Sequence, residues 1–169
     1  DTMIRISFAG AVITTMFAAS ALYASWQNEA TPLEFSGSEG FAVVELFTSE
    51  GCSSCPPADR LLADLDAKAR AGKKNVYLLS FHVDYWNRLG WTDPFSSAAF
   101  SERQARYSNS FGNDSVYTPQ MIVDGREEFV GSSEAKALHA IVGAARAAKP
   151  ACEIRVDTRA GNRVTIQAR

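Results

Sequence analysis

Two histidines and three cysteines are all that the 169 residues offer as imidazole or thiol donors. Cys52 and Cys55 have no second C-x-x-C beside them and no C/H pair, so a zinc or copper site built on them with His82 would be incomplete. No metal or other cofactor is expected. Basic runs are also missing. The longest is Lys73-Lys74 and the net charge is −2, so there is no cationic excess to neutralise phosphates and nucleic acid is excluded as a partner. Internal repeats and low-complexity tracts are absent as well. At 46% hydrophobic and 21% charged residues, what remains is the composition of one globular domain that buries a core.

The N-terminus is poor in charge, with Asp1 and Arg5 alone before Glu29. After Arg5 an Ala-rich apolar run continues to Glu29 with no polar stripe every three or four residues, which argues against a buried helix. Ala19-Ser20-Ala21 supplies small residues of the kind a signal peptidase reads. Residues 1–24 therefore read as a signal peptide or a membrane anchor, and 25–39 as a polar linker. Either reading exports the rest of the chain across a bacterial inner membrane. The expected location is periplasmic or secreted, or inner-membrane anchored if the segment is retained, where disulfides persist. That segment is the only expected contact with a membrane.

Beyond the linker the chain alternates. "GFAVVELFT" (40–48) reads as a buried strand, followed at once by "SEGCSSCPP". Residues 58–72 place Leu61, Leu62, Leu65 and Ala69 on one helical face, with Gly72 as a stop. Residues 74–84 read as a second buried strand, 85–97 as an aromatic loop and 96–112 as a helix. Then 116–125 is an X-Pro entry into a strand, with Asp124-Gly125 as a tight hairpin turn. The return strand is 126–131 and an Ala-rich helix follows to Pro150. Residues 151–169 form a hairpin around Ala160-Gly161-Asn162, which reads as the start of a β-rich extension because a lone ribbon is marginal. The order strand, cysteine pair, helix, strand, helix, hairpin, helix predicts an α/β fold with a mixed sheet flanked by helices.

A C-x-x-C between a strand and a helix has three readings: a redox-active dithiol, part of a metal site, or a structural staple. The first is favoured. Two intervening residues let the sulfurs meet, and a helix N-terminus favours thiolate over thiol. On that reading Cys52, nearer the loop and expected to be exposed, attacks and Cys55 resolves. The prolines complicate it. Residues before proline avoid the α region, so the helix is expected to start at Pro57, with Cys52 ahead of it. Thr118-Pro119 is the second feature. From spacing alone the bond is open between cis and an ordinary trans proline at a strand start.

Three stretches together, "ELFTSEGCSSCPPAD", "FHVDYWNRLGWTDPFSS" and "VYTPQMIVDG", resemble a bacterial family of secreted thioredoxin-like proteins known as domain of unknown function 1223. The resemblance covers residues 40–150 and implies a thioredoxin-like fold with a cis Pro119 beside the cysteines. Glu45 falls near the place where thioredoxins keep a buried carboxylate, which implies a base for Cys55; the alternative is a Glu facing solvent or paired to an Arg. The chain departs from thioredoxin in having Gly51 rather than Trp before the first cysteine, Ser53-Ser54 between the pair, and a longer, more aromatic loop.

Thr118 and Pro119 are candidate substrate-binding residues, together with His82, Asp84 and Trp86 at the strand end where ligands bind in α/β sheets. His82 and Asp84 can instead pair to hold the loop. Trp86, Trp91 and Phe95 are expected to form loop core. His139 reads as structural or exposed, and Cys152 as free or paired outside this sequence. The expected function is an exported thiol-disulfide oxidoreductase acting on protein thiols or disulfides of the cell envelope. The alternatives are a non-catalytic binding module stapled by its disulfide, and a Cu/Zn metallochaperone.

Overall fold

The computed structural model describes residues 40–149, 154–158 and 164–168. The segments expected to be a signal or anchor and a linker, together with Cys152 and the expected turn at 160–162, lie outside the described residues. Among the described residues no helix is long and apolar enough to cross a membrane.

Strand β1 (Ala42–Thr48) is buried on both faces, which is why its sequence runs almost continuously apolar. It pairs in parallel with β2 (Val76–His82) and antiparallel with β3 (Gln120–Val123), which pairs antiparallel with β4 (Glu127–Val130). The sheet order is β2-β1-β3-β4. Joining parallel neighbours needs a crossover, and α1 (Pro56–Ala71) supplies it. Helices α2 (Ala98–Phe111) and α3 (Glu134–Arg146) complete a four-stranded mixed sheet flanked by three helices, consistent with a thioredoxin-like α/β fold. A separate antiparallel ribbon, β5 (Ile154–Thr158) with β6 (Val164–Ala168), follows.

On one face of β1, Ala42, Val44 and Leu46 pack with Leu61, Leu65 and Ala69 of α1 and Ala137, Ala140 and Ile141 of α3. On the other, Phe47 joins Val83 and Ile122, with Tyr85, Trp86, Tyr107 and Phe111 around them. The Asp124-Gly125 turn forms as expected, both residues at positive φ, and Asp124 Oδ1 also accepts the Val43 N–H at 2.9 Å.

Two expectations need correction. β2 is an edge strand, not a second buried one: Tyr77 is 57% and Leu79 43% exposed. A run of apolar residues does not say whether a strand lies in the middle of its sheet. The first helix starts at Pro56, one residue earlier than expected, with Cys55 as its cap at φ −77° and ψ −34°. The proline restriction on Cys55 is overcome locally. Its N–H bonds Cys52 O at 3.2 Å, and its carbonyl accepts from Ala58 N and Asp59 N at 2.8 and 3.1 Å.

Candidate active site around Cys52 and Cys55

Cys52 and Cys55 form a disulfide, with Cα atoms 5.4 Å apart. The turn before it is closed by Cys52 N–H to Ser49 O, 3.1 Å, and Gly51 N–H to Ser49 Oγ, 3.1 Å. Ser53 and Ser54 are exposed, but Cys52 itself is only 2% exposed and Cys55 fully buried. The expected exposure of Cys52 is therefore not observed, because the turn folds it inward under the serines. The helix end is also a weak source of positive potential here. Pro56 and Pro57 remove two first-turn N–H donors, and Asp59 puts a negative charge in that turn, its carboxylate accepting from Thr48 Oγ1 at 2.7 Å.

The Thr118-Pro119 bond is cis. Pro119 and Ala58, of the first turn of α1, both come close to Gly131: a Cβ there would lie 3.3 Å from the Cβ of each and 2.7 Å from Leu46 Cδ1. Only glycine permits that approach. Thr118 meets the cysteines from this side, its Oγ1 donating to Cys52 Sγ at 3.3 Å. Ser54 Oγ lies 3.5 Å from the same sulfur and 3.5 Å from Thr118 O.

The loop at 85–97 closes the third side. Trp86, half-buried against the Phe47 cluster, donates its indole N–H to Thr118 Oγ1 at 2.8 Å. His82 and Asp84 do not pair. His82 Nδ1 lies 2.7 Å from Asp93 Oδ2, while Asp84 Oδ1 accepts from Ser101 Oγ at 2.5 Å, anchoring α2. Alternation along a strand puts two residues on one face but does not choose between nearer partners. Asp93, 2% exposed, also accepts Glu50 N–H and Phe95 N–H at 2.9 Å each, so it ties the loop to the turn that leads to Cys52. Burial alone would raise its carboxyl, but the Glu50 N–H, the His82 ring and the Phe95 N–H outweigh that and hold it below the usual range. Trp91 and Phe95, 60% and 66% exposed, are not loop core. The loop is held instead by polar bonds, among them Trp91 Nε1 to Glu50 Oε2 at 2.9 Å.

Glu45 is buried but stands apart from the cysteines. It looks onto α2, on the opposite face of β1 from α1, and takes Arg103 Nε at 2.6 Å, Arg103 Nη2 at 2.9 Å and Tyr107 Oη at 2.7 Å. Burial and the bond to Glu45 push the Tyr107 hydroxyl up to about 12. The arginine-paired alternative therefore describes this residue, and nothing in its contacts makes it a base for Cys55. His139 is exposed.

Sequence reasoning missed Asp93 and two buried amides. Gln104 Nε2 donates to Tyr117 O at 2.7 Å and Gln120 Oε1 at 2.9 Å, and Gln104 Oε1 accepts the Tyr85 hydroxyl at 3.1 Å. Gln120 continues to Glu128 Oε2 at 2.9 Å. These bonds fix the chain on both sides of Thr118. A Gln on a helix reads as solvent-facing, and no spacing rule flags one that is fully buried.

Among the described residues no group of three or more His, Cys, Asp or Glu is placed to hold a metal ion. No curated protein sequence matches the chain. A crystal structure of a protein from Agrobacterium tumefaciens is similar, at 40% identity and a TM-score of 0.59, over 77% of this chain and 57% of that one. The chain thus spans little more than half the length of that relative. The family model described as "Protein of unknown function (DUF1223)" matches residues 43–169. That match takes in the cysteine turn, the loop that pins it and the Thr118-Pro119 entry, and on it the chain belongs to the DUF1223 family.

Proposed function

We propose that the protein is an exported thiol-disulfide oxidoreductase, periplasmic or secreted, working on thiols or disulfides of envelope proteins. The observation that carries this reading is the Thr118 hydroxyl on Cys52 Sγ, 3.3 Å away, beside a disulfide that caps a helix. A staple needs no donor on its sulfur. A thiolate does, since a hydrogen bond to the charged form favours it.

Reduced Cys52, as thiolate, attacks one sulfur of a partner disulfide. The Cys52–partner S–S bond forms, the partner's own S–S bond breaks, and its second sulfur leaves as a thiolate that takes a proton from water. Cys55 then gives up its proton to water and, as thiolate, attacks Cys52 Sγ. The Cys52–Cys55 bond closes and the partner's first sulfur is released. Two electrons pass from the dithiol to the partner, and the reverse reaction runs through the same bonds, its direction set by the two potentials. Thr118, Pro119 and Trp86 line the approach to Cys52 in this scheme, while His82 and Asp84 hold the loop and α2.

Insulin reduction by wild type and by Cys52→Ser tests the proposal. The substitution is expected to abolish the activity; undiminished turnover would overturn it. The burial of Cys52 supports a second reading, a non-catalytic module whose disulfide is a staple. That reading expects a disulfide that resists mild reductant in the folded protein.

A further inference from the structure

Resting on the exchange reading, we infer that Trp86 is a positioning residue: its indole N–H fixes the Thr118 hydroxyl so that it donates to the Cys52 thiolate. A threonine hydroxyl has one hydrogen to give and two lone pairs to receive. At Thr118 one lone pair is taken by Trp86 Nε1, 2.8 Å away. Indole has no acceptor, so this bond runs in one sense only. The hydrogen is then left for the acceptor on the other side, Cys52 Sγ at 3.3 Å.

That acceptor differs between redox states. In the disulfide Cys52 Sγ is a weak neutral acceptor. Opening the disulfide to a Cys52 thiolate puts a full charge on the sulfur, and a charge-assisted bond is roughly twice as strong as a neutral one. The bond that the Thr118 hydroxyl already makes to Cys52 is then strengthened. The loop that carries Trp86 thereby aims the donor. With the helix end weakened by two prolines and Asp59, side-chain hydroxyls are what the turn offers a thiolate, Thr118 at 3.3 Å and Ser54 at 3.5 Å.

The test is the pH dependence of Cys52 alkylation by iodoacetamide in the reduced protein, followed by mass spectrometry so that Cys55 and Cys152 are scored separately. Thr118→Val is expected to raise the Cys52 midpoint by about one pH unit, and Trp86→Phe, which keeps a packing ring and loses the N–H, by about half as much. Thr118→Ser, which keeps the hydroxyl, should stay near wild type. The double variant Trp86→Phe/Thr118→Val should match Thr118→Val alone, since Trp86 acts through Thr118. A merely structural tryptophan would lower the melting temperature without moving the midpoint. The inference falls if Trp86→Phe leaves the midpoint in place, or if its effect adds to that of Thr118→Val. Insulin reduction is read on the same samples. A wild type that turns over with an unmoved Trp86→Phe midpoint rejects the positioning role and leaves exchange standing. A shifted midpoint without turnover rejects exchange and keeps the positioning role.

Discussion

The two faces of β1 are built by different physics. Ala42, Val44 and Leu46 look onto α1 and α3 and meet carbon. Glu45 and Phe47 look onto α2, where Glu45 meets a guanidinium and a phenol and Phe47 meets aromatic rings. The first face is held by area removed from water, which is nondirectional and adds up over many contacts. The second combines a smaller apolar cluster around Phe47 with hydrogen bonds, each valuable only while its partner is present. The cysteine turn sits at the end of the strand where both meet, with α1 behind it and the polar loop in front.

Truncation should expose the difference. Leu65→Ala, at a fully buried position in the apolar layer, is expected to cost about 2–5 kcal/mol in a denaturation experiment. Glu45→Gln weakens an ion pair whose arginine side chain is 40% exposed. Solvent screens part of that loss, and about 1–2 kcal/mol is expected. The same Glu45→Gln variant should leave the alkylation midpoint of Cys52 and the rate of insulin reduction unchanged. A marked change in either would return Glu45 to the chemistry and dissolve the contrast between the faces.

The smallest effect is a pH signature of the polar face. The Tyr107 hydroxyl is held above its ordinary 10.0, at about 12, so the folded state keeps its proton longer than the unfolded state does. The stabilisation is therefore fully present below about pH 10 and is lost as pH rises towards 12. Urea midpoints of wild type and Tyr107→Phe, compared from pH 8 upward, should converge over that window. A difference that does not depend on pH would mean that Tyr107 acts through packing alone.

The same contrast decides how much the sequence told. Leu61, Leu65 and Ala69 announced α1 because burial leaves a period of helical spacing, and Asp124-Gly125 announced its turn because both residues must take positive φ. The first strand was legible from its apolar run and the cysteine pair from its motif, while the cis bond before Pro119 was implied by the family resemblance, spacing alone having left it open. What was not legible is pairing between polar side chains far apart in the chain. The Trp86–Thr118 bond spans 32 positions and the Glu45–Arg103 pair 58, and neither leaves a local trace. His82 shows the cost most plainly. Its neighbour Asp84 looked like its partner, while Asp93, eleven positions on in the aromatic loop, holds the ring.

On the proposed function, Cys52–Cys55 is a working redox couple rather than a staple. The deciding measurement is the reduction potential of the pair in the folded protein, with titration of the freed Cys52 thiol. A working couple is expected to equilibrate with a glutathione buffer, and its Cys52 thiol to ionise below the usual cysteine value of about 8.5. A disulfide that stays closed in that buffer until the chain unfolds, with Cys52 titrating at or above the ordinary value, would contradict it.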